Sequence, residues 1–273
     1  MKKFGRCVLI TNGNLASLIA LRDWLDAHGQ SIVKVYITYK LPSSKSNLQG
    51  LFSLLMTSGW SYTWLKIWVN KIAPLILRVQ GKPSSVKNYL QVIAPAVPVE
   101  LIDSVKAESV LAEIRSLNPD ILVSFSATQR FPDSLINIFT SGAINVHYGA
   151  LPRYAGLSPY FWHLYNNERY YGVTLHRIES KLDAGGVVEQ KEDLINSNDC
   201  LSLMIKMASK VSPMLNNFFA GLTSIDELVL QDSSRRTYFG HPTVDQVKEF
   251  HSNGFKMMDG ESRKLLLEKV LRK

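Results

Sequence analysis

The fold is decided by residues 8–38, which read VLITNGNLASLIALRDWLDAHGQSIVKVYIT. The apolar run at residues 8–11 stops at Asn12-Gly13-Asn14, which is typical of a buried strand that ends in a tight turn. Apolar residues then recur at helical spacing up to Gly29. Residues 31–38 are rich in Val, Ile, Tyr and Thr, as strands are. A strand–helix–strand unit of this kind predicts an α/β fold with a mainly parallel sheet.

Length and composition are those of a globular chain. With 273 residues, of which 46% are hydrophobic and 20% charged, the chain can bury a sizeable core. A net charge of +8 favours anionic partners, among them nucleotide sugars, folate glutamates, RNA and an anionic membrane face, although a solvated basic surface explains it equally well. The chain has no RRM, KH or zinc pattern, so no specific binding of nucleic acid is expected.

The cysteines and the start of the chain indicate a cytoplasmic protein. Cys7 and Cys200 are the only cysteines, and their spacing is not that of metal ligands, so we expect reduced thiols and no metal. The first apolar run is too short for the core of a signal peptide. Neither G-x-G-x-x-G nor G-x-x-x-x-G-K-[ST] occurs, so the phosphate cradle of dinucleotide and P-loop sites is missing.

Residues typical of helix ends occur at several later positions. Ser104 is expected to cap a helix that ends before Pro119, and Pro132 to begin a helix that ends at Gly142. Thr243 and Gln246 are expected to form a capping box. The predicted organisation is a core of residues 1–200 with a helical insertion at about 48–79, followed by a helical extension over 201–273.

Residues 48–79 form an unusual apolar insertion. They contain Trp60, Trp64 and Trp68, but Lys66, Lys71 and other polar residues interrupt the run, so it is not a membrane span. The interpretation is a helical pair that covers the substrate or forms a dimer surface. An interfacial membrane helix is the alternative, and membrane contact is not expected.

Three polar residues could converge on one site. Asn145 and His147 lie two apart near the end of a predicted strand and therefore share a face. In open α/β sheets, ligand sites form at that end of the strands. Asp183 follows in a loop between two later strands. An amide can stabilise a developing oxyanion, an imidazole can move a proton near neutral pH, and a carboxylate can orient the imidazole or take a proton. His176 is expected to pack against or orient this group.

The same stretch resembles the folate-dependent formyltransferases, whose pattern is roughly N-[VI]-H-x-[SG]-x-LP-x-[YF]-x-G, then GVT, then LDxG. This chain has Asn145-Val146-His147, Leu151-Pro152, Gly172-Val173-Thr174 and Leu182-Asp183-Ala184-Gly185, in that order. The resemblance covers about residues 105–195. It implies a Rossmann-like formyltransferase core and formyl transfer from 10-formyltetrahydrofolate, with Asn145, His147 and Asp183 as the catalytic residues.

The resemblance also implies where the two substrates bind. The loop that usually holds the pterin corresponds here to Phe125, Ser126, Thr128 and Gln129, although its letters differ from the commonest forms. Arg153 and Tyr154 are the candidates for binding the acceptor. Members often carry a second basic residue where this chain has Ala155, which puts that contact in doubt.

Among these enzymes, the chain is most similar to those that act on nucleotide-linked amino sugars for surface polysaccharides, which are commonly homodimers. The alternatives are an enzyme like the methionyl-tRNA or glycinamide ribonucleotide formyltransferases, and a non-catalytic scaffold that retains the fold. A formyl-transfer assay separates the enzymes from the scaffold.

Overall fold

The computed structural model describes residues 4–38 and 47–271. The strands are β1 (Cys7–Thr11), β2 (Ile32–Thr38), β3 (Val99–Ile102), β4 (Ile121–Phe125), β5 (Ala143–His147), β6 (Ala155–Gly156), β7 (Tyr170–Arg177), β8 (Val187–Leu194) and β9 (Tyr238–Phe239). The helices are α1 (Leu15–His28), α2 (Asn47–Ile67), α3 (Ala73–Val79), α4 (Val86–Ile93), α5 (Glu108–Ser116), α6 (Asp133–Ile136), α7 (Pro159–Tyr165), α8 (Cys200–Phe219), α9 (Val244–Ser252) and α10 (Gly260–Leu271).

Seven strands form one sheet in the order β3-β2-β1-β4-β5-β7-β8. The first five in this order are parallel to their neighbours, whereas β7 runs antiparallel to β5 and β8 antiparallel to β7. The predicted α/β fold with a mainly parallel sheet is therefore confirmed. Thr11 pairs with Phe125, and Phe125 pairs with Val146. The carboxyl ends of β1, β4 and β5 thus lie side by side, where a ligand site is expected.

The sheet has a core on each side because alternate residues of a strand face opposite ways. In β1, Cys7 and Leu9 join one core with α1 and α8, whereas Val8 and Ile10 join the other with α5. α1 and α8 pack closely, since Ser212 accepts a hydrogen bond from the Trp24 backbone N–H (3.1 Å) and donates one to a backbone carbonyl of α1. The extension after residue 200 therefore begins with a helix that completes a core.

Two of the predicted helix boundaries are wrong. α5 begins at Glu108, with Ala107 at the N-cap position, because the Ser104 hydroxyl instead accepts from the Lys106 backbone N–H in a local turn. α6 begins after Pro132 as predicted but already ends at Ile136. The capping box of Thr243 and Gln246 is confirmed at the start of α9.

The apolar insertion is helical but not continuous. α2 is broken at Gly59, whose φ of 74° and ψ of 179° lie outside the helical region. A π-helical turn, Trp68–Ile72, then joins α2 to α3. Within residues 4–38 and 47–271, no helix has both the length and the apolar character needed to cross a bilayer.

Candidate active site

Asn145 and His147 lie on the last residues of β5, and Asp183 lies in the loop between β7 and β8. The structure brings all three together. Asp183 Oδ1 is 3.7 Å from His147 Nδ1 and 3.8 Å from His176 Nε2, and the Asn145 amide nitrogen is 3.1 Å from the same His176 nitrogen. His147, His176 and Asp183 are buried. Residues that are up to 38 positions apart therefore form one polar cluster at the carboxyl end of the sheet.

His176 is held as a neutral imidazole. Burial lowers its pKa to about 4, more than the neighbouring Asp183 carboxylate can compensate. Its Nδ1 lies 2.8 Å from the Arg177 carbonyl oxygen, which can only accept, so Nδ1 carries the proton. Nε2 is then an acceptor, and the Asn145 amide donates to it. The ring fixes the orientation of the amide and leaves the second N–H of Asn145 Nδ2 for another acceptor.

His147 has the opposite tautomer. Its Nε2 is 2.8 Å from the Tyr154 carbonyl oxygen, so Nε2 carries a proton and Nδ1 faces Asp183. The distance of 3.7 Å between Nδ1 and Oδ1 exceeds a hydrogen bond. The imidazole and the carboxylate thus face one another across a gap in which a third polar group can contact both. Nδ1 is the nitrogen available for proton transfer.

The loop that carries Asp183 is held from three directions. The Asp183 Oδ2 atom accepts from the Gly156 backbone N–H at 3.0 Å. Arg236 donates to the backbone oxygens of Leu182 and Asp183 at 2.6 and 2.9 Å, and Gln231 donates to the Asp183 carbonyl at 3.2 Å. Asp183 itself has a left-handed φ of 49°. These contacts stabilise a conformation that non-glycine residues rarely adopt.

Gln231 and Arg236 were not identified from the sequence. They lie about 50 residues after Asp183, outside every quoted motif, and they bind backbone oxygens, for which no side-chain spacing is diagnostic. The glycine in Asp183-Ala184-Gly185 does have a signal. A Cβ atom at Gly185 would lie 2.0 Å from the Arg177 carbonyl oxygen, so only glycine fits there.

The predicted folate loop follows β4. The Phe125 ring packs edge-on against Tyr148, with centroids 5.3 Å apart, and Ser126 has a left-handed φ of 53°. The Thr128 backbone N–H and hydroxyl both donate to Thr38, at the end of β2. Gln129 spans to the next loop, where it accepts from the Val105 backbone N–H and donates to the Asp103 carbonyl. The side chains of Thr128 and Gln129 thus tie the loop to neighbouring strand ends.

Arg153 and Tyr154 lie six and seven residues after His147 in the sequence. The Arg153 guanidinium is 3.7 Å from Glu168 and half-exposed. The Tyr154 ring is buried and stacked on His163 at 3.9 Å, and its hydroxyl donates to Glu168. Burial raises the pKa of this hydroxyl to about 12. Of the two candidates for binding the acceptor, Arg153 is the one with an accessible charged group.

A second polar cluster, which the sequence did not indicate, borders the site. The Lys66 ammonium donates to the hydroxyls of Ser158 and Tyr160, and Tyr62 contacts Ser158 at 2.5 Å and His241 Nδ1 at 3.0 Å. Burial, and then the Lys66 cation, lower the pKa of His241 to about 4. We call these five residues the Lys66 cluster. Among the described residues, no carboxylate forms an ion pair with Lys66, so its positive charge is uncompensated.

The Lys66 cluster is connected to the first cluster through residues 156–158. Ser158 lies two residues after Gly156, whose N–H binds Asp183. One turn beyond Lys66, the Asn70 side chain accepts from Asn14, which caps α1 beside the end of β1. The buried Tyr148 hydroxyl, next to His147 in the chain, makes no hydrogen bond within the described residues.

The segment that carries the first cluster is similar in sequence to a known family. Residues 83–213, which carry every part of the first cluster, match the family described as "Formyl transferase". The methionyl-tRNA formyltransferase of Borreliella afzelii (strain PKo) is 33% identical over 130 residues, which are 47% of this chain and 41% of that protein. The chain thus spans about two fifths of the curated relatives it matches.

Two solved structures share the fold. A sugar N-formyltransferase from Shewanella sp FDAARGOS_354 has a TM-score of 0.53 at 18% identity, and the match covers 97% of this chain and 88% of that one. An N-formyltransferase from Helicobacter canadensis has a TM-score of 0.54 at 18% identity, over 86% of this chain and 70% of that one. At this identity the likeness is one of fold alone. Residues 83–213 are thus similar in sequence to the formyl transferase family, and the whole chain shares the fold of these two structures.

Proposed function

We propose that the protein transfers a formyl group from 10-formyltetrahydrofolate to the amine of a small acceptor, and that the acceptor is a nucleotide-linked amino sugar. The observation that carries the proposal is the convergence of Asn145, His147 and Asp183 on one cleft, within the segment that matches the formyl transferase family. A scaffold that only retained the fold would have no use for this group.

The three side chains supply what formyl transfer to an amine requires. A bond forms between the amine nitrogen and the formyl carbon, the bond from that carbon to the donor nitrogen breaks, and one proton moves from the amine to the departing nitrogen. Negative charge develops on the formyl oxygen during this exchange. The second N–H of the Asn145 amide can donate to that oxygen, since the first is held by His176.

His147 and Asp183 handle the proton. The gap of 3.7 Å between His147 Nδ1 and Asp183 Oδ1 places both atoms within reach of an attacking nitrogen. The Asp183 carboxylate can accept the proton that the amine loses, His147 Nδ1 can take this proton over from the carboxylate, and the imidazolium can then give it to the departing donor nitrogen. The loop contacts from Arg236 and Gly156 keep the carboxylate in this position, as efficient catalysis requires.

The folate donor, which supplies the one-carbon unit as a formyl group, fits the cleft beside Phe125 and Tyr148. The Tyr148 hydroxyl is a buried polar group with no partner among the described residues, so a ligand with a polar edge would satisfy it. Thr128 and Gln129 fix the 126–129 loop through their side chains, which fits a site in which the backbone of that loop holds a ring. In this proposal Phe125, Ser126, Thr128 and Gln129 form the donor side.

The acceptor side is proposed from charge. Lys66 has no carboxylate partner within the described residues, whereas the Arg153 cation is already shared with Glu168. The diphosphate of a nucleotide-linked sugar would compensate Lys66. The related structure from Helicobacter canadensis was obtained in complex with folinic acid and dTDP-3-aminofucose, an acceptor of this chemistry.

The proposal is tested by incubating the purified chain with 10-formyltetrahydrofolate and, in separate arms, with nucleotide-linked amino sugars, glycinamide ribonucleotide or methionyl-tRNA. Release of tetrahydrofolate and a formyl mass gain on an amino sugar are expected. A gain on one of the other two acceptors alone would contradict the acceptor class. No formyl transfer to any amine would refute the activity. We also propose a cytoplasmic homodimer, which localisation and light scattering can check.

A further inference from the structure

The net positive charge of the protein arises in one segment of the chain. Residues 27–99 contain no Asp or Glu, but eight Lys and Arg. The other 200 residues therefore have equal numbers of acidic and basic residues and no net charge, because the whole chain carries +8. This segment includes β2, α2, the π-helical turn, α3 and α4. Of the described cations in this segment, Lys34 is buried and paired with Glu100 and Glu113, and Lys66 lies in the Lys66 cluster. The exposed positive charge of the segment is therefore carried by Lys71, Arg78 and Lys82, and such a surface attracts anionic partners.

The first half of α2 covers little of the core, since within residues 49–58 only Leu54 packs against it. From Gln49 to Ser58, the only buried side chain is that of Ser58, although five of these ten residues are Leu, Phe or Met. Several large apolar side chains remain exposed by three fifths or more, namely Phe52 (65%), Met56 (66%) and, beyond the Gly59 break, Trp60 (62%). Exposed apolar patches of this kind are uncommon on soluble monomers and indicate an interaction surface.

The next helical stretch adds basic residues to the same kind of surface. Leu75 and Val79 are 60% and 82% exposed. Lys71 and Arg78 lie four residues before and three after Leu75, on the same side of the helical stretch, and Lys82 follows in the turn after α3. All three cations are exposed. Within the described residues, none of these three cations is paired with a carboxylate. We call the exposed residues of this stretch and of α2 the 47–82 surface.

We propose that the 47–82 surface binds an anionic lipid membrane. Exposed apolar side chains beside unpaired Lys and Arg are typical of helices that lie in a membrane interface, where the apolar groups enter the lipid and the cations contact headgroup phosphates. Association of two copies through this surface is disfavoured, because it would bring two positive segments together. The proposal does not depend on formyl transfer.

Membrane binding differs from the expectation from the sequence, in which the apolar residues of 48–79 cover the substrate or a partner subunit and membrane contact is absent. α2 does border the cleft, but with its second half, where Tyr62 and Lys66 contact Ser158. In the first half, Leu54 packs against the core, whereas Phe52 and Met56 remain exposed. Membrane binding through α2 would place the cleft next to the lipid surface.

Vesicle flotation of the full-length protein tests the proposal. The vesicles consist of phosphatidylcholine alone or contain about one third phosphatidylglycerol as the anionic lipid. The protein is expected to float with the anionic vesicles only, and less at high salt. Phe52→Glu and Trp60→Glu are each expected to lower the bound fraction about tenfold. Each variant removes an aromatic side chain that would enter the lipid and adds a negative charge that the anionic headgroups repel.

Leu222→Glu is the matched control. Leu222 is 75% exposed and lies outside the 47–82 surface, so this variant should float like the wild type. Charge reversal with Lys71→Glu, at an exposed position, provides a second variant if an aromatic substitution disturbs folding. Wild-type protein that stays with the lipid-free fractions would overturn the proposal, as would equal loss in the Leu222→Glu control. A dimer in light scattering that Phe52→Glu dissociates, without flotation of the wild type, would assign the surface to a second copy.

Discussion

His147 and His176 both point towards Asp183 Oδ1, at 3.7 and 3.8 Å, but their backbone contacts give them different tautomers. The proton of His176 lies on Nδ1, bound to the Arg177 carbonyl, and that of His147 on Nε2, bound to the Tyr154 carbonyl. Consequently His176 can only position Asn145, whereas His147 presents Nδ1 to the gap in front of the carboxylate. Two histidines in one cluster therefore have separate roles, and only His147 is proposed to touch the reacting groups.

Asp183→Asn should lower kcat by about two to four orders of magnitude, the range for loss of a positioned acid–base group. The amide retains an oxygen for the Gly156 N–H but can no longer accept the proton of the amine. The thermal unfolding midpoint should change little. Steady-state kinetics with Asp23→Asn, at an exposed position, as the control checks this. Turnover within a few-fold of the wild type in Asp183→Asn would contradict the proposed role.

The two halves of α2 have different surroundings, which the sequence did not reveal. Its second half brings Lys66 to the cleft, and its first half forms an exposed apolar surface, with the break at Gly59 between them. Helical periodicity alone predicted a buried or partner-facing pair of helices. It could not show the break, because one glycine within an apolar helix is common and its φ depends on what the two halves pack against.

Lys66→Met should raise KM for the acceptor about tenfold or more and leave KM for the folate donor unchanged. Loss of one charge-assisted contact with a phosphate accounts for this magnitude. Stability should stay constant or rise, because Met removes a buried cation that has no carboxylate partner within the described residues. The comparison is Lys71→Met, an exposed lysine on the following turn. Equal effects on both substrates, or none on either, would remove Lys66 from the acceptor site.

Gly59→Ala should destabilise the protein by about 1–3 kcal/mol, because φ of 74° with ψ of 179° is a region that is nearly restricted to glycine. The added Cβ would meet Val244 only at 3.7 Å, an ordinary contact, so strain in the backbone is the cause. Urea unfolding measures the difference, with Gly260→Ala as the control at a glycine without a positive φ. An unchanged midpoint would mean that the break relaxes at no cost.

The sequence predicted the central elements well because their signals are local. Residues 8–38 predicted a strand, a helix and a strand, and β1, α1 and β2 occupy these positions. It also predicted that Asn145 and His147 share a face of a strand end, as β5 places them. It could not show Arg236, Gln231 or the Lys66 cluster, because their partners are backbone oxygens or hydroxyls far away in the chain. Non-local contacts of this kind leave no periodic pattern.

At the scale of the whole molecule, three histidines make the protein sensitive to mild acid. Burial lowers the pKa of His163, His176 and His241 to about 4, from an ordinary value of 6.5. Between these two values the unfolded chain binds more protons than the folded one, so stability rises with pH and is lost as pH falls below 6.5. Each ring can contribute up to about 3 kcal/mol over the full window.

The free energy of unfolding in urea, measured from pH 7 to 5, should therefore fall steadily, before most carboxylates titrate. His163→Gln should make the slope shallower, because it removes one of the three buried rings. A free energy that is constant over this range would show that the rings bind protons in the folded protein as well.

The hydrogen bonds from Arg236 to the loop of Asp183 have a consequence for any attempt to shorten the protein. Arg236 lies beyond both the family match, which ends at residue 213, and the seven-stranded sheet. A fragment ending near residue 222 would keep all seven strands, α8 and the Asn145–His147–Asp183 group, yet the carboxylate loop would lose Arg236 and Gln231. Such a fragment would also lose the buried side chains of Phe250, Leu266 and Val270 from the core that contains α1 and α8, so it should be less stable as well as slow. The residues after 222 therefore serve the core and the carboxylate loop at once, and shortening the chain should reduce stability and activity together.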